Sequence, residues 1–432
     1  DRLARRDLTV GVVGLGYVGL PLVIGFAEAG YRTVGYDLDA ERVAGLNAGR
    51  SHIEDVSAER VAAMRRNERF SATVQPGPLG RCDAIFIAVP TPFDDAKTPD
   101  LSYVRSATEI VTRVLRRGML VILQSTTYPG TTAEIVQPAL ESTGLRAGED
   151  FFLAFSPERV DPGNARWTLR NTPKLVGGFT PAAARYAAAL LESAMDEPGL
   201  VKVLSSPAAA ELAKLLENTY RAVNIALVNE LAVLCHKMDV DLWEVIDGAA
   251  TKPFGFQAFY PGIGAGGHCI PVDPYYLSWR ARMFDFQTKF IDMAADTNLN
   301  MADYVVNRVR DLLNERSLAL RGCRILALGA SFKPSVSDMR NSRAVRVIEL
   351  LRQAGAEVAY HDPHVPCFPL AGDTLKSVEL TAEAVAAADL VVVLVAHPEL
   401  DLDLLLAGPT IVFDAVNATK GRGRDLPQVK RL

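Results

Sequence analysis

Residues 8–19 read LTVGVVGLGYVG, and this stretch decides the class of fold. Its first part, residues 8–14, is apolar and rich in β-branched side chains, which predicts a buried parallel strand. The pattern GxGxxG follows directly, from Gly14 to Gly19, and a helical pattern runs from 21 to 29. Glycines let a backbone approach a pyrophosphate, and a helix N-terminus supplies N–H donors and positive potential. The segment therefore predicts the phosphate-binding turn of a dinucleotide site.

A second predicted strand, residues 33–36, ends at Asp37, which lies 18 residues after Gly19. An acid near this spacing accepts hydrogen bonds from the adenosine ribose and repels a 2′-phosphate. The pattern therefore favours NAD over NADP, and Arg42 would weaken that preference. A glycine-rich turn without a ligand is the less favoured alternative, because the strand, turn, helix and acid come in the required order.

Strands alternate with helices to about residue 200, and the same alternation restarts at residue 321. Further strands are predicted over 84–89, 119–123, 324–328, 356–360, 390–395 and 410–413. Between the two regions, residues 207–238 contain no Gly or internal Pro, which predicts one long helix. The predicted fold class is therefore α/β, with two Rossmann-like doubly wound parallel-sheet domains joined by a helical middle domain with a long central helix. The expected domains are 1–203, 204–317 and 318–432.

Composition excludes several classes of protein. The 432 residues include 46 Lys and Arg against 51 Asp and Glu, and a net charge of −5 argues against bulk binding of nucleic acid. No apolar run approaches the roughly 18 residues of a membrane span. The start is basic, but no long apolar segment follows it before the first strand, so we expect no secretory signal. The five cysteines form no CxxC pair and no zinc-like Cys/His spacing, so we expect a reducing compartment and no metal site.

Residues 266–273 read GGHCIPVD and carry the most reactive candidate, Cys269. Paired glycines bring backbone amides near a reacting atom, and a cysteine there becomes a nucleophile if its thiolate is stabilised. Asp273 would take part in proton transfer. A lone cysteine is otherwise a small buried hydrophobe, but Gly, Pro and Asp surround Cys269 in place of a periodic apolar run.

Glu211, Lys214 and Asn218 share one face of the long helix, at spacings of i, i+3 and i+7. Such a face is either the solvated edge of the helix or a polar site facing a cleft, and spacing alone favours the edge. The rest of the helix is apolar nearly all round, which predicts burial between domains or subunits.

Several turns follow predicted strands, where α/β sheets bind ligands. They are 90–92 (PTP), 125–130 (STTYPG), 156–163 (SPERVDPG) and 332–334 (FKP). Ordinary turn chemistry explains each of the first three equally well, and a solvated charged loop is the alternative for Lys333 and Arg340. His361 and His364 flank Asp362 in a segment that we interpret as a solvated loop.

In this order the motifs resemble the UDP-glucose/GDP-mannose dehydrogenase family, and the resemblance extends from Val10 to about Asn417. The segments GGHCIPVD, KLLENTY, STTYPGTT and SFKPSVSDMRNS match family motifs. The segment SPERVDPGN is most similar to the UDP-N-acetylhexosamine branch, and within it to UDP-N-acetylglucosamine 6-dehydrogenases. Pro162 stands where UDP-glucose dehydrogenases carry a second glutamate, which argues against plain UDP-glucose.

The resemblance implies a four-electron oxidation of the C6 hydroxyl to a carboxylate by two NAD, through a Cys269 thiohemiacetal and thioester. Lys214 and Asn218 would stabilise the oxyanion, Asp273 would relay protons, and Thr126 and Glu158 would position or activate water. The implied NAD contacts are Gly14, Gly16, Tyr17, Val18, Gly19, Asp37, Arg42, Thr91, Thr126 and Arg340. The implied substrate contacts are Glu158, Arg159, Lys214, Asn218, Tyr260, Gly266 and Lys333.

The resemblance also places NAD on the first domain, UDP on the last, and a homodimer core on the long helix. We expect a cytoplasmic enzyme that acts on a UDP-N-acetylhexosamine and forms a homodimer or a higher homo-oligomer, with no nucleic-acid or membrane partner. UDP-N-acetylmannosamine, UDP-N-acetylgalactosamine and UDP-glucose remain alternative substrates. A two-electron β-hydroxyacid dehydrogenase is a more distant alternative, because the Lys214–Asn218 spacing also occurs there, and a nucleotide-sugar sensor without catalysis is a third.

Overall fold

The computed structural model describes residues 2–94, 97–161, 164, 166–268, 270–423 and 425–432. The chain divides into two compact units. The first comprises Asp1–Glu217 and Trp279–Phe286, and the second comprises Asn218–Ser278 and Gln287–Leu432. Cys269 lies outside the described residues.

The first unit is built on one eight-stranded sheet. Its strands are β1 (Thr9–Val13), β2 (Arg32–Tyr36), β3 (Phe70–Thr73), β4 (Ala84–Ile87), β5 (Leu120–Leu123), β6 (Phe152–Phe155), β7 (Lys174–Gly178) and β8 (Val201–Leu204). Their order in the sheet is β3-β2-β1-β4-β5-β6-β7-β8. The strand order reverses between β1 and β4, so a crevice opens there at the carboxyl ends of the strands. Gly14 lies at this point, directly after β1.

Helices connect the strands of the first unit. They are α1 (Gly19–Glu28), α2 (Ala40–Asn47), α3 (Ala58–Arg66), α4 (Ser102–Thr112), α5 (Gln137–Glu141) and α6 (Pro181–Glu192), with a 3₁₀ turn at Gly77–Arg81 and a π turn at Thr132–Val136. Helix α1 is apolar enough to be buried on most of its surface, with Leu20, Val23 and Phe26 in the core. The predicted βα alternation is therefore confirmed.

One pair departs from the predicted parallel sheet, because β6 and β7 run antiparallel through Ala154–Gly178 and Phe155–Gly177. A parallel neighbour needs a crossover connection, usually a helix. The described part of the 156–173 connection contains no helix. The chain therefore returns beside β6 in the opposite direction, and β8 then pairs parallel to β7.

The second unit carries a five-stranded parallel sheet and a small hairpin. Its strands are β9 (Arg324–Leu328), β10 (Glu357–His361), β11 (Cys367–Leu370), β12 (Asp373–Lys376), β13 (Leu390–Val393), β14 (Ile411–Asp414) and β15 (Val429–Arg431). The parallel sheet has the order β10-β9-β13-β14-β15, and β11 pairs antiparallel with β12. The order reverses between β9 and β13, which is the ligand-binding position of a doubly wound sheet.

The second unit also contains the helical middle of the chain. Its helices are α8 (Leu242–Ala250), α9 (Asp273–Arg282), α10 (Lys289–Asn314), α11 (Arg343–Gln353), α12 (Ala382–Ala387) and α13 (Leu402–Leu406). Helix α9 ends within the first unit. Helix α10 packs an apolar face, including Met301, Val305 and Val309, against the same core as β9 and α11. The predicted second α/β sheet and helical middle are thus both confirmed.

The long predicted helix is α7 (Pro207–Met238), which runs for 32 residues. Several of its large apolar side chains are exposed in the single chain, at Leu212, Leu216, Tyr220, Leu227, Leu234 and Met238. Spacings of four and seven residues place them along a stripe of the helix. Within the described chain, no helix is long and apolar enough to span a bilayer.

Candidate active site

The glycine turn after β1 is shaped by its three glycines. Gly14 has a φ of +92°, and a Cβ at this residue would lie 2.5 Å from the carbonyl oxygen of Ala88. A Cβ on Gly19 would lie 1.8 Å from the carbonyl oxygen of Gly14, so α1 packs against the turn only with glycine there. A Cβ on Gly16 would meet nothing within 4 Å. The turn therefore leaves open space beside exposed backbone, as a pyrophosphate requires.

Asp37 follows β2 and is held at the same turn. Its Oδ2 accepts hydrogen bonds from the Leu15 amide and from Nη1 of Arg42, both at 2.9 Å. Its Oδ1 accepts from the Asp39 amide at 3.0 Å. The glycine turn and the oriented carboxylate together fit NAD, while the Arg42 guanidinium offsets part of the charge that would repel a 2′-phosphate.

The other residues predicted to hold NAD have different surroundings. Tyr17 is exposed, Val18 precedes α1 and packs against the core, and Thr91 is half-buried in the loop after β4. Thr126 is half-buried after β5, and Arg340 belongs to the second unit.

The loop that carries Thr126 is tied to its neighbours on both sides. Ser125 Oγ accepts from the Val89 amide at 3.0 Å and donates to the Val89 carbonyl at 2.8 Å. This pair of bonds joins the loop after β5 to the loop after β4. Thr126 therefore occupies a constrained backbone position beside the crevice between β1 and β4.

Glu211 of α7 holds the far end of the same loop. Its Oε2 accepts from the Gly130 amide at 2.6 Å, and its Oε1 accepts from the amide and hydroxyl of Thr132 at 2.9 and 2.6 Å. Burial raises the pKa of the Glu211 carboxyl, although these three hydrogen bonds oppose the rise. Glu211 thus acts as an internal anchor between α7 and this loop.

The polar face of α7 is buried, so its interpretation as a solvated edge is wrong. Glu211, Lys214 and Asn218 are 0%, 8% and 5% exposed. Glu211 is covered by the loop that it binds, and Nδ2 of Asn218 donates to Oδ2 of Asp273 at 2.5 Å. Helical spacing cannot show this covering, because the covering residues come from distant segments.

Glu158 lies in the turn after β6 and accepts hydrogen bonds from four residues. The Lys174 ammonium lies 2.9 and 3.1 Å from its two oxygens, and the Gln124 amide donates to Oε2 at 2.8 Å. The amides of Arg159 and Val160 donate to Oε1 at 2.8 and 3.0 Å. Burial opposes ionisation, but Lys174 and these bonds outweigh it and lower the pKa of Glu158. The carboxylate therefore stays ionised and anchors its turn.

Arg159, the next residue, is paired with α7. Its Nη2 lies 2.7 Å from Oε1 of Glu217, and its Nη1 donates to the Pro173 carbonyl at 2.8 Å. Its guanidinium charge is thus largely balanced within the first unit. Pro162 and Gly163 of the same segment lie outside the described residues.

The glycine-rich loop before Cys269 is packed against the loop after β9. Gly267 has a φ of +91°, and a Cβ there would lie 3.0 Å from the ring of Phe332. A Cβ on Gly266 would lie 3.2 Å from the Asn341 carbonyl, and Asn341 Nδ2 donates to the Gly267 carbonyl at 3.0 Å. The backbone that leads to Cys269 is therefore set by close contacts that larger residues would break.

Tyr260, one of the residues predicted to contact substrate, is held by α8. Its hydroxyl donates to Asp247 at 2.6 Å, and its ring stacks on Trp243 with centroids 5.4 Å apart. The hydrogen bond to Asp247 raises the pKa of Tyr260. The ring remains 45% exposed, so one face is available to a ligand.

Lys333 and Arg340 differ in how they are held. The Lys333 ammonium lies 5.7 Å from the centroid of the Phe332 ring, and the residue is half-buried. Arg340 donates from Nη2 to Asp338 at 2.6 Å, and the same nitrogen lies 3.4 Å from Nδ1 of His268. Burial opposes ionisation of Asp338, but Arg340 outweighs it and lowers the Asp338 pKa.

Asp362 is not in a solvated loop, and that interpretation is also wrong. The residue is 3% exposed and follows β10, where it accepts hydrogen bonds from backbone amides and from His397. These bonds, led by the one from His397, outweigh burial and hold the Asp362 pKa well below its usual range. The spacing of one acid between two histidines could not show that backbone amides surround it.

Candidate metal ligands also lie here, since atoms of His364, His397 and Glu399 come within 4.8 Å of one another. Nε2 of His397 contacts Asp362 at 3.1 Å, and Nδ1 accepts from the Ser335 amide at 3.3 Å. Both nitrogens are thus already engaged, and a metal ion would have to break one of these bonds.

Lys174 and His397 are two buried polar residues of these sites that the sequence patterns above do not single out. Lys174 is 1% exposed within the strand KLVGG, and a charge inside a buried strand is the signal that would have found it. His397 follows the apolar strand β13, at the end where ligands bind in such sheets.

Comparisons with known proteins cover most of the chain. The domain models of the UDP-glucose/GDP-mannose dehydrogenase family match in order: the NAD binding domain at 8–195, the central domain at 208–300 and the UDP binding domain at 326–421. The chain is 39% identical to UDP-N-acetyl-D-glucosamine 6-dehydrogenase of Pseudomonas aeruginosa, covering 83% of this chain and 84% of that protein. It is 35% identical to NDP-N-acetyl-D-galactosaminuronic acid dehydrogenase of Ralstonia nicotianae, covering 94% and 95%. The solved structure of a UDP-D-ManNAc dehydrogenase from Pyrococcus horikoshii has a TM-score of 0.86 at 34% identity, covering 95% of this chain and 96% of that one.

Proposed function

Because the chain belongs to the UDP-glucose/GDP-mannose dehydrogenase family and is an NAD-dependent nucleotide-sugar dehydrogenase, we propose that its substrate is UDP-N-acetylglucosamine. The sugar C6 hydroxyl would be oxidised to a carboxylate, with two NAD reduced and one water consumed per sugar. The observation that carries the four-electron reaction is Cys269, which stands between Gly267 and Asp273 in the sequence. The choice of sugar is supported by SPERVDPGN and by the 39% identity to a UDP-N-acetyl-D-glucosamine 6-dehydrogenase.

We assign NAD binding to residues 1–203, the catalytic loop and dimer core to 204–317, and the UDP-sugar to 318–432. NAD, when bound at the glycine turn, accepts a hydride from C6 in each oxidation. The glycine turn would hold its pyrophosphate, and Asp37 its adenosine ribose. Arg42, Tyr17, Val18, Thr91, Thr126 and Arg340 complete the proposed set of contacts.

Cys269 would add its sulfur to C6 of the aldehyde left by the first oxidation, forming a thiohemiacetal that prevents loss of the aldehyde. The second oxidation leaves a thioester, and water cleaves its C–S bond to release the acid and return the thiol. Lys214 and Asn218 would donate to the oxyanion of the tetrahedral states. The Asn218–Asp273 contact supports a role for Asp273 in orienting that donor and in moving protons.

Thr126 and Glu158 would order the attacking water. The four hydrogen-bond donors around Glu158 favour a positioning role for this carboxylate over direct proton abstraction. Lys333, Tyr260, Gly266 and Arg159 would contact the sugar nucleotide. Lys333 can meet a phosphate because it lies after β9, beside the strand-order reversal of the second sheet.

We propose a homodimer formed through the exposed apolar stripe of α7, since large exposed apolar patches mark interaction sites. We also propose a cytoplasmic location, which rests on the five scattered cysteines of the sequence.

The test is the amount of NADH formed per sugar consumed, with UDP-N-acetylglucosamine, UDP-N-acetylmannosamine, UDP-N-acetylgalactosamine and UDP-glucose assayed in parallel. Two NADH per sugar, with UDP-N-acetylglucosamine giving the highest kcat/KM, supports the proposal. A different preferred sugar overturns the substrate, and one NADH per turnover overturns the role of Cys269. Cys269→Ser should abolish acid formation, whereas a two-electron β-hydroxyacid dehydrogenase would survive it.

A further inference from the structure

The loop that carries Lys333 is held by a buried carboxylate. Asp362 Oδ2 accepts from the amides of Ala330 and Ser331 at 2.7 and 3.1 Å. Its Oδ1 accepts from the amides of His364 and Val365 at 2.8 and 3.0 Å. One side chain thus joins the start of the loop after β9 to the loop after β10.

His397 adds the loop after β13 to the same group. Its Nε2 lies 3.1 Å from Asp362 Oδ2 and 3.3 Å from Ser331 Oγ, and its Nδ1 accepts from the Ser335 amide at 3.3 Å. The side chains of Asp362 and His397 are both fully buried. Because Nδ1 accepts a hydrogen bond, Nε2 carries the proton that is donated to Asp362.

These contacts bracket Lys333 on both sides. Ser331 lies two residues before it and Ser335 two residues after it, and Ser331 Oγ also donates to the Lys333 carbonyl at 2.8 Å. The adjacent Phe332 side chain lies close to the glycine-rich loop, with its Cβ beside Gly266 and its ring beside Gly267. The conformation of one short loop therefore sets both the proposed phosphate contact and the backbone near Cys269.

The first sheet shows the same arrangement with a different use of the acid. Gly14 follows β1 and Gly329 follows β9, and both glycines have a positive φ. The amide of each donates a hydrogen bond of 2.8 Å to the last carbonyl of the neighbouring strand, at Tyr36 in β2 and at His361 in β10. Asp37 and Asp362 then follow those strands. Asp37 accepts two backbone amides and Arg42, with one bond on Oδ1, whereas Asp362 accepts four amides and a histidine, with two or more bonds on each oxygen.

We propose that Asp362 and His397 are positioning residues for the sugar nucleotide, acting through the 330–335 loop. Asp362 lies at the place in the second sheet that corresponds to Asp37 in the first. Asp37 would orient a ribose, whereas Asp362 anchors loops. The inference rests on the proposed function, because it takes the UDP moiety to bind beside this loop. Neither residue touches the reacting atoms, so their loss should weaken substrate binding and leave the NAD site intact.

The experiment compares the full-length wild type with His397→Ala, His397→Gln and Asp362→Asn. UDP alone is titrated by calorimetry, NADH binding is followed by fluorescence, and KM and kcat are measured with UDP-N-acetylglucosamine. His397→Ala should raise the UDP Kd and the sugar KM about tenfold, as expected for one lost buried hydrogen bond. The NADH Kd should stay within about twofold. His397→Gln keeps an amide donor for Asp362 and should lose less affinity.

His364→Ala is the matched control, because its ring lies beside that of His397 but faces Glu399. Its UDP Kd should equal that of the wild type. An unchanged UDP Kd in both His397 variants, an equal loss in His364→Ala, or a fall in kcat alone would overturn the positioning role. If His397→Ala does not fold, the UDP Kd, the NADH Kd and the KM and kcat of Asp362→Asn and His397→Gln are compared with those of the wild type in its place. A wild type that neither binds UDP nor oxidises any UDP-sugar would instead overturn the proposed function.

Discussion

The ammonium of Lys174 lies 2.9 Å from Oε1 and 3.1 Å from Oε2 of Glu158, and the two side chains are 2% and 12% exposed. Lys174 is in β7 and Glu158 follows β6, so the pair spans the antiparallel junction of the first sheet. It connects the turn predicted to contact substrate with the sheet core. The stability of that turn therefore depends on a charge pair removed from water.

Lys174→Met should destabilise the protein by about 3 kcal/mol, because it leaves a buried carboxylate without its counter-charge. Urea denaturation at neutral pH measures this free energy of unfolding. The double variant Lys174→Met/Glu158→Gln is the control, since it removes both charges and should recover more than half of the loss. If the single and double variants lose the same unfolding free energy, the loss comes mainly from the packing contacts of the lysine stem and not from the unpaired charge.

Glu211 and Glu158 should show opposite pH dependences of stability. The folded pKa of Glu211 is raised above 4.5, so its contribution is present below about pH 4.5 and is lost as pH rises through the folded pKa. The folded pKa of Glu158 is lowered, so its contribution is present above about pH 4.5 and is lost as pH falls through the folded pKa.

Unfolding free energies of the wild type, Glu211→Gln and Glu158→Gln should be measured between about pH 2.5 and pH 8. The difference in unfolding free energy between the wild type and Glu211→Gln should shrink as pH rises, because Glu211 ionises at a cost whereas glutamine does not titrate. The difference in unfolding free energy between the wild type and Glu158→Gln should grow as pH rises toward about 4.5. Slopes of the same sign for both variants would contradict one of the two pKa directions.

Asp37→Ser should lower kcat/KM with NAD by tenfold or more, since a charged hydrogen bond contributes about 1.5–3 kcal/mol. The NADP to NAD ratio of kcat/KM should rise, because Arg42 is freed from its 2.9 Å contact with Asp37. Steady-state kinetics with both cofactors measure the change. Asp39→Asn is the control, as it keeps the oxygen that caps α2 and should leave both values within about twofold. A ratio unchanged in Asp37→Ser would exclude Asp37 as the residue that selects the cofactor.

Leu227→Asp should convert the proposed dimer into a monomer, because it puts a charge into the exposed apolar stripe of α7, where Leu227 is 56% exposed. Size-exclusion chromatography with light scattering measures the mass. Tyr103→Asp is the matched control on α4, where the ring is 49% exposed, and the dimer should persist there. A monomeric wild type would contradict the dimer itself.

The sequence alone determined the features that depend on neighbours along the chain. The continuous apolar runs of the strands, the glycines before α1 and the acid at residue 37 act over short spans, so they predicted the two α/β sheets and the dinucleotide turn. The 32-residue α7 was predicted as well, because its propensity is local. The antiparallel β7 was not predicted, since strand direction depends on a connection that lacks a helical pattern.

Only the tertiary structure decided which polar residues are buried together. Glu211 meets Thr132 across 79 positions, Asn218 meets Asp273 across 55, and His397 meets Asp362 across 35. No local period encodes such pairings, because they form only when helices and loops that are distant in the sequence pack together. For this reason a helix face expected at a solvated edge is buried, and a histidine-flanked acid expected in solvent anchors three loops.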